Sequence, residues 1–335
     1  MGAHATGGRW EELSFESRAL DGNPLGDPHV RPLFVYLPPG YDAEPERRWP
    51  TVYVIQGLTG MVRAWFNVSP FNRSFPQMIE DLAPACLVVL VDAFTALGGS
   101  QFLDSPGVGR YHTYLCDEIV PFVDSEFRTL AAREHRGIQG KSSGGYGAMI
   151  TPMLRPDLFG ALATHAGDSL FDVTYRRDFA PAARALRERY DGSWERFWDD
   201  FRSGRPVLAD KDDPVLLEAY AMAAVYSSND DGSIDFPFDV RTARVIEDVW
   251  ARWLEWDPVL RAPRHAETLR ELRAVWIDAG TSDEYFLDLG AIAFRDVLAE
   301  IGVPEIRFEL FPGRHGGITH RYPLSLAYLA AALAP

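Results

Sequence analysis

Short apolar runs alternate with stretches of helical period along this chain, the order expected of a mostly parallel sheet wrapped by helices. The runs predict strands at Leu33–Leu37, Thr51–Ile55, Leu87–Val91, Gly137–Gln139, Ala161–His165, Ala274–Ile277 and Ile306–Phe311. The middle runs are apolar throughout, which suits strands covered on both faces. The last one alternates, with Ile306, Phe308 and Leu310 set against Arg307 and Glu309, as an edge strand does.

Helical patterns fill the gaps. Tyr111–Phe127 gathers Leu115, Ile119, Phe122 and Val123 on one face, and Pro121 predicts a kink in it. Tyr285–Ile301 stops at Gly302 with Pro304 just beyond, a C-terminal signal. Leu324–Leu333 reads as a closing helix. One region breaks the alternation: Ser169 to about Ala266 has no strand pattern and is rich in charge and rings, among them Tyr175, Trp194, Trp198, Phe201, Tyr226, Trp250, Trp253 and Trp256. It predicts a helical insertion over the sheet. Most of its rings then build the insertion's own small core, and a few face a pocket as a lid. Asn229–Ser233 is a turn whose acidic pair lacks the spacing and terminal glutamate of a calcium loop.

With 335 residues and 47% hydrophobic content, the chain can bury one sizeable core carrying an insertion. A net charge of −15 argues against a nucleic-acid or anionic-membrane partner, and ordinary solubility accounts for it. The sequence carries no sign of how many copies assemble, and a homo-oligomer is compatible with it. Cys86 opens an apolar run and Cys116 lies in a helical pattern, so neither has metal-ligand spacing and neither demands a disulfide. The opening Met-Gly-Ala-His-Ala-Thr-Gly shows no apolar signal region, and no run has membrane-spanning length. The expected compartment is the cytoplasm, where the sequons at Asn67 and Asn72 carry little meaning.

The chemistry centres on Gly140-Lys141-Ser142-Ser143-Gly144-Gly145, between the run Arg136–Gln139 and a helical segment from Tyr146. A strand, a tight Gly-x-Ser-x-Gly turn and a helix make a nucleophile elbow, which projects a serine hydroxyl from a turn too sharp for a Cβ at the flanking positions. The pattern alone is short enough to arise by chance. Its rival is a phosphate loop, because Gly140-Lys141-Ser142 imitates the end of one. That loop needs a glycine five positions before Gly140, where His135 stands.

A serine nucleophile needs a base. His315 follows the last strand in a glycine-rich loop, Pro312-Gly313-Arg314-His315-Gly316-Gly317, and such loops at the carboxyl ends of strands collect catalytic groups. His320 is its rival and precedes the closing helix. The base needs an acid to orient it. Asp283, in Gly280-Thr281-Ser282-Asp283, is favoured, because the order Ser142, Asp283, His315 is the order this class uses. Asp168 and Glu284 are the alternative acids, and Asp278 reads as buried structure. The oxyanion needs two amides: Ser143, after the nucleophile, and Leu58, in the loop Gln56-Gly57-Leu58-Thr59-Gly60 after an early strand.

Taken together, these parts resemble the esterase family of α/β-hydrolases, which includes S-formylglutathione hydrolases, feruloyl esterases, enterochelin esterases and mycolyltransferases. The matching residues are Tyr36–Tyr41, Gln56–Thr59, Gly109–Tyr111, Gly140–Gly147 with Pro156–Phe159, Gly280–Asp283 and Gly313–His315, in the family's order. The resemblance implies an α/β-hydrolase fold with a mostly parallel central sheet, helices on both faces and an inserted helical cap. It implies a triad of Ser142, Asp283 and His315, with an oxyanion hole from the Leu58 and Ser143 amides. Two departures stand out. Ser143 replaces the methionine that often follows the nucleophile, and Gly60 stands where S-formylglutathione hydrolases carry cysteine, which argues against a glutathione thioester.

The expected organisation is a hydrolase core of residues 1–168 and 267–335 with a cap of residues 169–266. The expected activity is hydrolysis of a small-molecule carboxylic ester through an acyl-serine, without metal or organic cofactor. An acyltransferase using the same triad and a non-catalytic binding protein on the same scaffold are the alternatives. A peptidase is disfavoured, because nothing marks a peptide-binding strand edge.

Overall fold

The structure is a computed structural model in which residues 7–203 and 210–335 are described. The reading of the amino terminus rests on a segment of which residues 1–6 lie outside them, as do residues 204–209 of the expected insertion. An eight-stranded sheet forms the centre. Its strands are β1 (Arg9–Glu16), β2 (Val30–Leu37), β3 (Thr51–Ile55), β4 (Leu87–Val91), β5 (Arg136–Lys141), β6 (Ala161–His165), β7 (Ala274–Gly280) and β8 (Ile306–Phe311). Their order across the sheet is β1-β2-β4-β3-β5-β6-β7-β8. β1 and β2 run antiparallel to their neighbours, and every pairing from β4 through β8 is parallel.

Four expected strands have the observed bounds: β3, β4, β6 and β8. β3, β4 and β6 are buried along their whole length, whereas β8, at the sheet edge, alternates in burial. The sequence reading missed β1. Its Trp10, Leu13 and Phe15 are only half-buried and stand among acidic residues, so an antiparallel edge strand presented no apolar run. A two-residue hairpin pairing Asp104–Ser105 with Gly109–Arg110 was also missed, being too short to carry a period.

Strand alternation sends side chains to two layers. Tyr53, Ile55, Val89, Ile138 and Leu162 face one core, and Val52, Val54, Val88, Ala161, Ala163 and Trp276 face the other. The helices that matter below are α1 (Phe75–Leu82), α2 (Ser143–Leu154), α3 (Phe179–Tyr190), α4 (Trp194–Arg202), α5 (Asp213–Tyr226), α6 (Glu247–Leu254), α7 (Leu287–Glu300) and α8 (Arg321–Leu333). α1 and α8 cover the second core, and α2, α7 and the elements between β6 and β7 cover the first. The distortion expected at Pro121 takes the form of a π turn over Tyr114–Ile119 that leads into Val120–Glu126. Wider turns accommodate a residue that lacks an N–H and crowds the carbonyl four positions back.

Between β6 and β7 the described residues form helices and two isolated bridges. Their rings pack mostly on one another: Trp194 stacks on Phe236 at 4.1 Å, Trp198 on Tyr220 at 5.1 Å and Phe179 on Phe238 at 4.8 Å. No described helix is long and apolar enough to cross a membrane.

The tightest backbone approach lies where β5 becomes α2. Ser142 sits there at φ 57°, a left-handed value costly for a residue with a side chain. A Cβ on Gly144 would collide with the Ile55 carbonyl and come within 2.8 Å of the Gln56 carbonyl carbon. Both obstacles are backbone of the neighbouring strand end and cannot rotate away. Gly144→Ala is therefore expected to lower stability by about 1–3 kcal/mol. Urea unfolding measures this, and an unchanged midpoint would contradict so close a packing of α2 on β3.

Candidate active site

Because β3 and β5 through β8 are parallel, their carboxyl ends share one edge of the sheet, where ligands of open α/β sheets gather. Five loops leave that edge and bring Gln56–Gly60, Ser142–Ser143, Asp168, Asp283 and His315 to it. Leu58, Ser142, Ser143, Asp168 and His315 line one cavity of about 470 Å³.

The turn at Ser142 is fixed from both sides. Its N–H lies 3.0 Å from the His165 carbonyl and 3.1 Å from the Ala166 carbonyl, and its own carbonyl accepts the Tyr146 N–H at 2.8 Å. The side chain is thereby lifted off the strand, half-exposed at the cavity floor. The His315 ring faces the same cavity. No hydrogen bond joins it to Ser142 among the described residues, the loose arrangement common before a substrate binds.

His315 is held by three groups. Its Nδ1 lies 2.9 Å from Asp283 Oδ2, its backbone N–H donates to Glu284 Oε2 at 2.9 Å, and its ring meets Tyr285 edge-on at 4.8 Å. The Asp283 side chain is fully buried, and its second oxygen accepts the Tyr285 N–H at 2.9 Å. A buried acceptor at Nδ1 fixes which ring nitrogen is left to face the cavity. Glu284, one alternative acid, bonds the backbone of His315 and not its ring; that bond leads the causes holding its carboxyl below the usual range.

Asp168, the other alternative, is buried and makes no hydrogen bond to the imidazole among the described residues. Its Oδ2 accepts from Gln101 Nε2 at 3.0 Å, Tyr175 Oη at 2.9 Å and Ser143 Oγ at 3.2 Å. Burial pushes its pKa up, against the pull of these donors and of His315. The Ser143 hydroxyl is thus turned to Asp168, while its amide, the first of α2, has no partner within the helix. Across the cavity, the Thr59 N–H is taken by Gly98 at 2.8 Å and the Gly60 N–H by Gly57 at 3.0 Å. The Leu58 N–H has no acceptor among the described residues. His320 does not face the cavity: it is exposed, and its Nδ1 is 3.3 Å from the Gly317 carbonyl.

A second serine–histidine–aspartate set lies beneath the first. His165 Nδ1 is 2.6 Å from Asp278 Oδ1 and its Nε2 is 2.9 Å from Ser325 Oγ, with all three residues completely buried. Trp276 Nε1 and Arg321 Nε also donate to Asp278 Oδ2, at 2.8 and 2.9 Å. Burial would raise the Asp278 pKa, and His165, Trp276 and Arg321 outweigh it, so the net shift is downward. This set has no opening to a ligand and clamps α8 to β6 and β7.

Sequence reasoning missed Gln101, which bonds Asp168 without lining the cavity, and Glu218, which lines it. Gln101 lies in a loop at φ 53° with no motif around it. Glu218 lines the cavity from α5, and no group among the described residues hydrogen-bonds its carboxyl. A signal was present for Glu218: it is the one charged residue between Pro214 and Tyr226. Burial, with the negative charges of Asp178 and Asp168 and against Arg177, raises its pKa to about 8. Of the rings singled out between Ser169 and Ala266, Tyr175 is the one among the cavity-lining residues.

Comparisons with known proteins agree with this architecture. The Esterase family model, described as "Putative esterase", matches residues 28–300. An endo-1,4-beta-xylanase/feruloyl esterase of Xylanibacter ruminicola is 25% identical over 134 residues, 38% of this chain and 18% of that protein. The chain spans a third or less of the length of the curated relatives it matches. A solved ferulic acid esterase superposes with a TM-score of 0.59 at 16% identity, covering 98% of this chain and 99% of its own. An S-formylglutathione hydrolase from Agrobacterium tumefaciens superposes with a TM-score of 0.55 at 18% identity, covering 99% of this chain and 98% of its own. At these identities the two structures show a shared α/β-hydrolase fold.

The raised pKa of Glu218 makes stability depend on pH. Between the ordinary glutamate range and about 8, the unfolded chain carries the carboxylate while the folded chain keeps the proton. Glu218 therefore destabilises the fold progressively as pH rises through that window, and no further above it. Glu218→Gln is expected to raise the melting temperature at pH 8 clearly more than at pH 5. An equal effect at both values in calorimetry would contradict a protonated Glu218.

Proposed function

This chain belongs to that esterase family, and on that premise we propose that it is a serine carboxylesterase acting through an acyl-serine intermediate. The observation that carries the reading is the 2.9 Å pairing of His315 Nδ1 with the buried Asp283, on the wall of the cavity that Ser142 enters. In the proposed reaction Ser142 Oγ attacks the acyl carbon while His315 Nε2 accepts its proton. Asp283 holds the ring and stabilises its charged form. The carbonyl oxygen becomes an oxyanion between the Leu58 and Ser143 amides, a type of contact whose loss costs roughly 100- to 1000-fold in kcat. The tetrahedral species collapses, the carbon–oxygen bond to the alcohol breaks, and His315 returns the proton to the leaving alcohol. Water then attacks the acyl-serine with the same assistance, releasing the acid and restoring Ser142.

Asp168 has a different task in this reading. Its three donors hold it in the wall, and through Ser143 Oγ it steadies the residue whose amide serves the oxyanion. Residues 169–266 act as a cap that closes the cavity over a small-molecule ester, with Thr174, Tyr175, Pro214, Leu217 and Glu218 as its contributions to the lining.

Hydrolysis of p-nitrophenyl acetate tests the assignments. Ser142→Ala is expected to remove at least about 10⁴-fold of kcat. Asp283→Asn is expected to cost about 10⁴-fold, through the wrong histidine tautomer. Asp168→Asn should cost far less, since it does not touch the imidazole. A larger loss from Asp168→Asn than from Asp283→Asn would reassign the acid.

A further inference from the structure

We propose that Glu218 forms a subsite for a positively charged substrate group, so that the cavity prefers esters carrying an ammonium over their neutral isosteres. The inference rests on the reading that the cavity binds an ester.

Helix α5 needs no charge to pack. Leu216, Leu217, Ala219, Ala221 and Met222 are buried, and Glu218 stands among them facing the cavity. Glu218 itself is half-buried at the cavity wall, and a carboxyl partly withdrawn from water without a hydrogen-bond partner carries a cost that is relieved when an occupant supplies the missing charge.

The surroundings select a cation. Asp168 and Asp178 both add negative potential at Glu218. The rings of Tyr175 and Tyr285 line the same cavity and respond to the Glu218 charge, and aromatic faces attract cations. Arg177 is the cation that acts on Glu218, and it is committed elsewhere. Its Nε is 3.1 Å from the Thr174 carbonyl and 3.3 Å from Asp178, its Nη1 is 2.5 Å from the Glu284 carbonyl, and its guanidinium lies over Tyr285 and Phe286. Lys141, which lines the cavity, interacts with Asp283, Asp168 and Glu284 and forms no ion pair with Glu218.

In the empty cavity Glu218 holds its proton near neutrality; a bound cation stabilises the carboxylate, and the proton passes to solvent. Preference for the cation should then grow as pH rises toward about 8 and level off above it.

Two ester pairs test this, each differing in a quaternary nitrogen against a quaternary carbon. One pair carries the charge on the alcohol: 2-(trimethylammonio)ethyl butyrate against 3,3-dimethylbutyl butyrate. The other carries it on the acyl group: p-nitrophenyl 4-(trimethylammonio)butyrate against p-nitrophenyl 5,5-dimethylhexanoate. In at least one pair, kcat/KM at pH 8.5 is expected to favour the cation by about tenfold or more, chiefly through KM. Glu218→Gln should bring that ratio to about one. If the variant does not fold, the wild-type ratio measured from pH 6 to 9 decides: a rise that levels near 8 supports the subsite, and a flat ratio overturns it. Hydrolysis of all four esters through Ser142 with ratios near one also overturns the subsite and leaves the esterase reading intact. Hydrolysis of none would overturn the esterase reading itself.

Discussion

A serine held at φ 57° where a central strand ends exists only because the backbone around it leaves no alternative. β5 is paired on both sides, with Gly140 opposite Ile55 of β3 and Thr164 of β6, so the chain cannot slide. The Ser142 N–H is bound to the carboxyl end of β6, and the Ser142 carbonyl starts α2. Gly144 lets α2 lie directly on the end of β3, and Gly57 lies close enough that a Cβ would come within 3.1 Å of Ser142 Cβ. The same contacts that impose the strain bring the Leu58 loop and the first amide of α2 beside the serine hydroxyl.

The parallel sheet does the rest of the gathering. Residues separated by more than 170 positions in sequence meet because β5, β7 and β8 deliver their loops to one edge. The two serine–histidine–aspartate sets differ in what they leave open. Ser325, His165 and Asp278 are paired to completion and sealed, with Arg321 and Trp276 using the remaining carboxylate oxygen. Around His315 the pairing stops one bond short: Asp283 takes one ring nitrogen, and the cavity holds the space for the other. In the proposed mechanism that open position is where the proton moves.

Much of this was legible in the sequence, for identifiable reasons. Strands buried on both faces leave unbroken apolar runs, so β3, β4 and β6 could be bounded to the residue. β1 could not, because half-buried edge residues among glutamates leave no such run. The serine turn was readable from its glycines, which answer to backbone collisions and not to a general preference. The choice of Asp283 over Asp168 was readable only as order along the chain. In space the two differ by their partners: one faces an imidazole, the other a glutamine, a tyrosine and a serine. Gln101 was out of reach, because a backbone turn and not a residue pattern delivers it. Glu218 was within reach as a lone charge in an apolar helix, but its meaning depends on which face of α5 meets the cavity.

The proposed chemistry turns on Ser142 as the nucleophile, and mapping of a covalent adduct measures that most directly. The protein is treated with a fluorophosphonate, digested, and the modified residue located by tandem mass spectrometry, with Ser142→Ala in parallel. The expected result is a single adduct on Ser142 that is absent from the variant. An adduct on Ser143 or any other residue, or equal labelling of Ser142→Ala, would contradict the account.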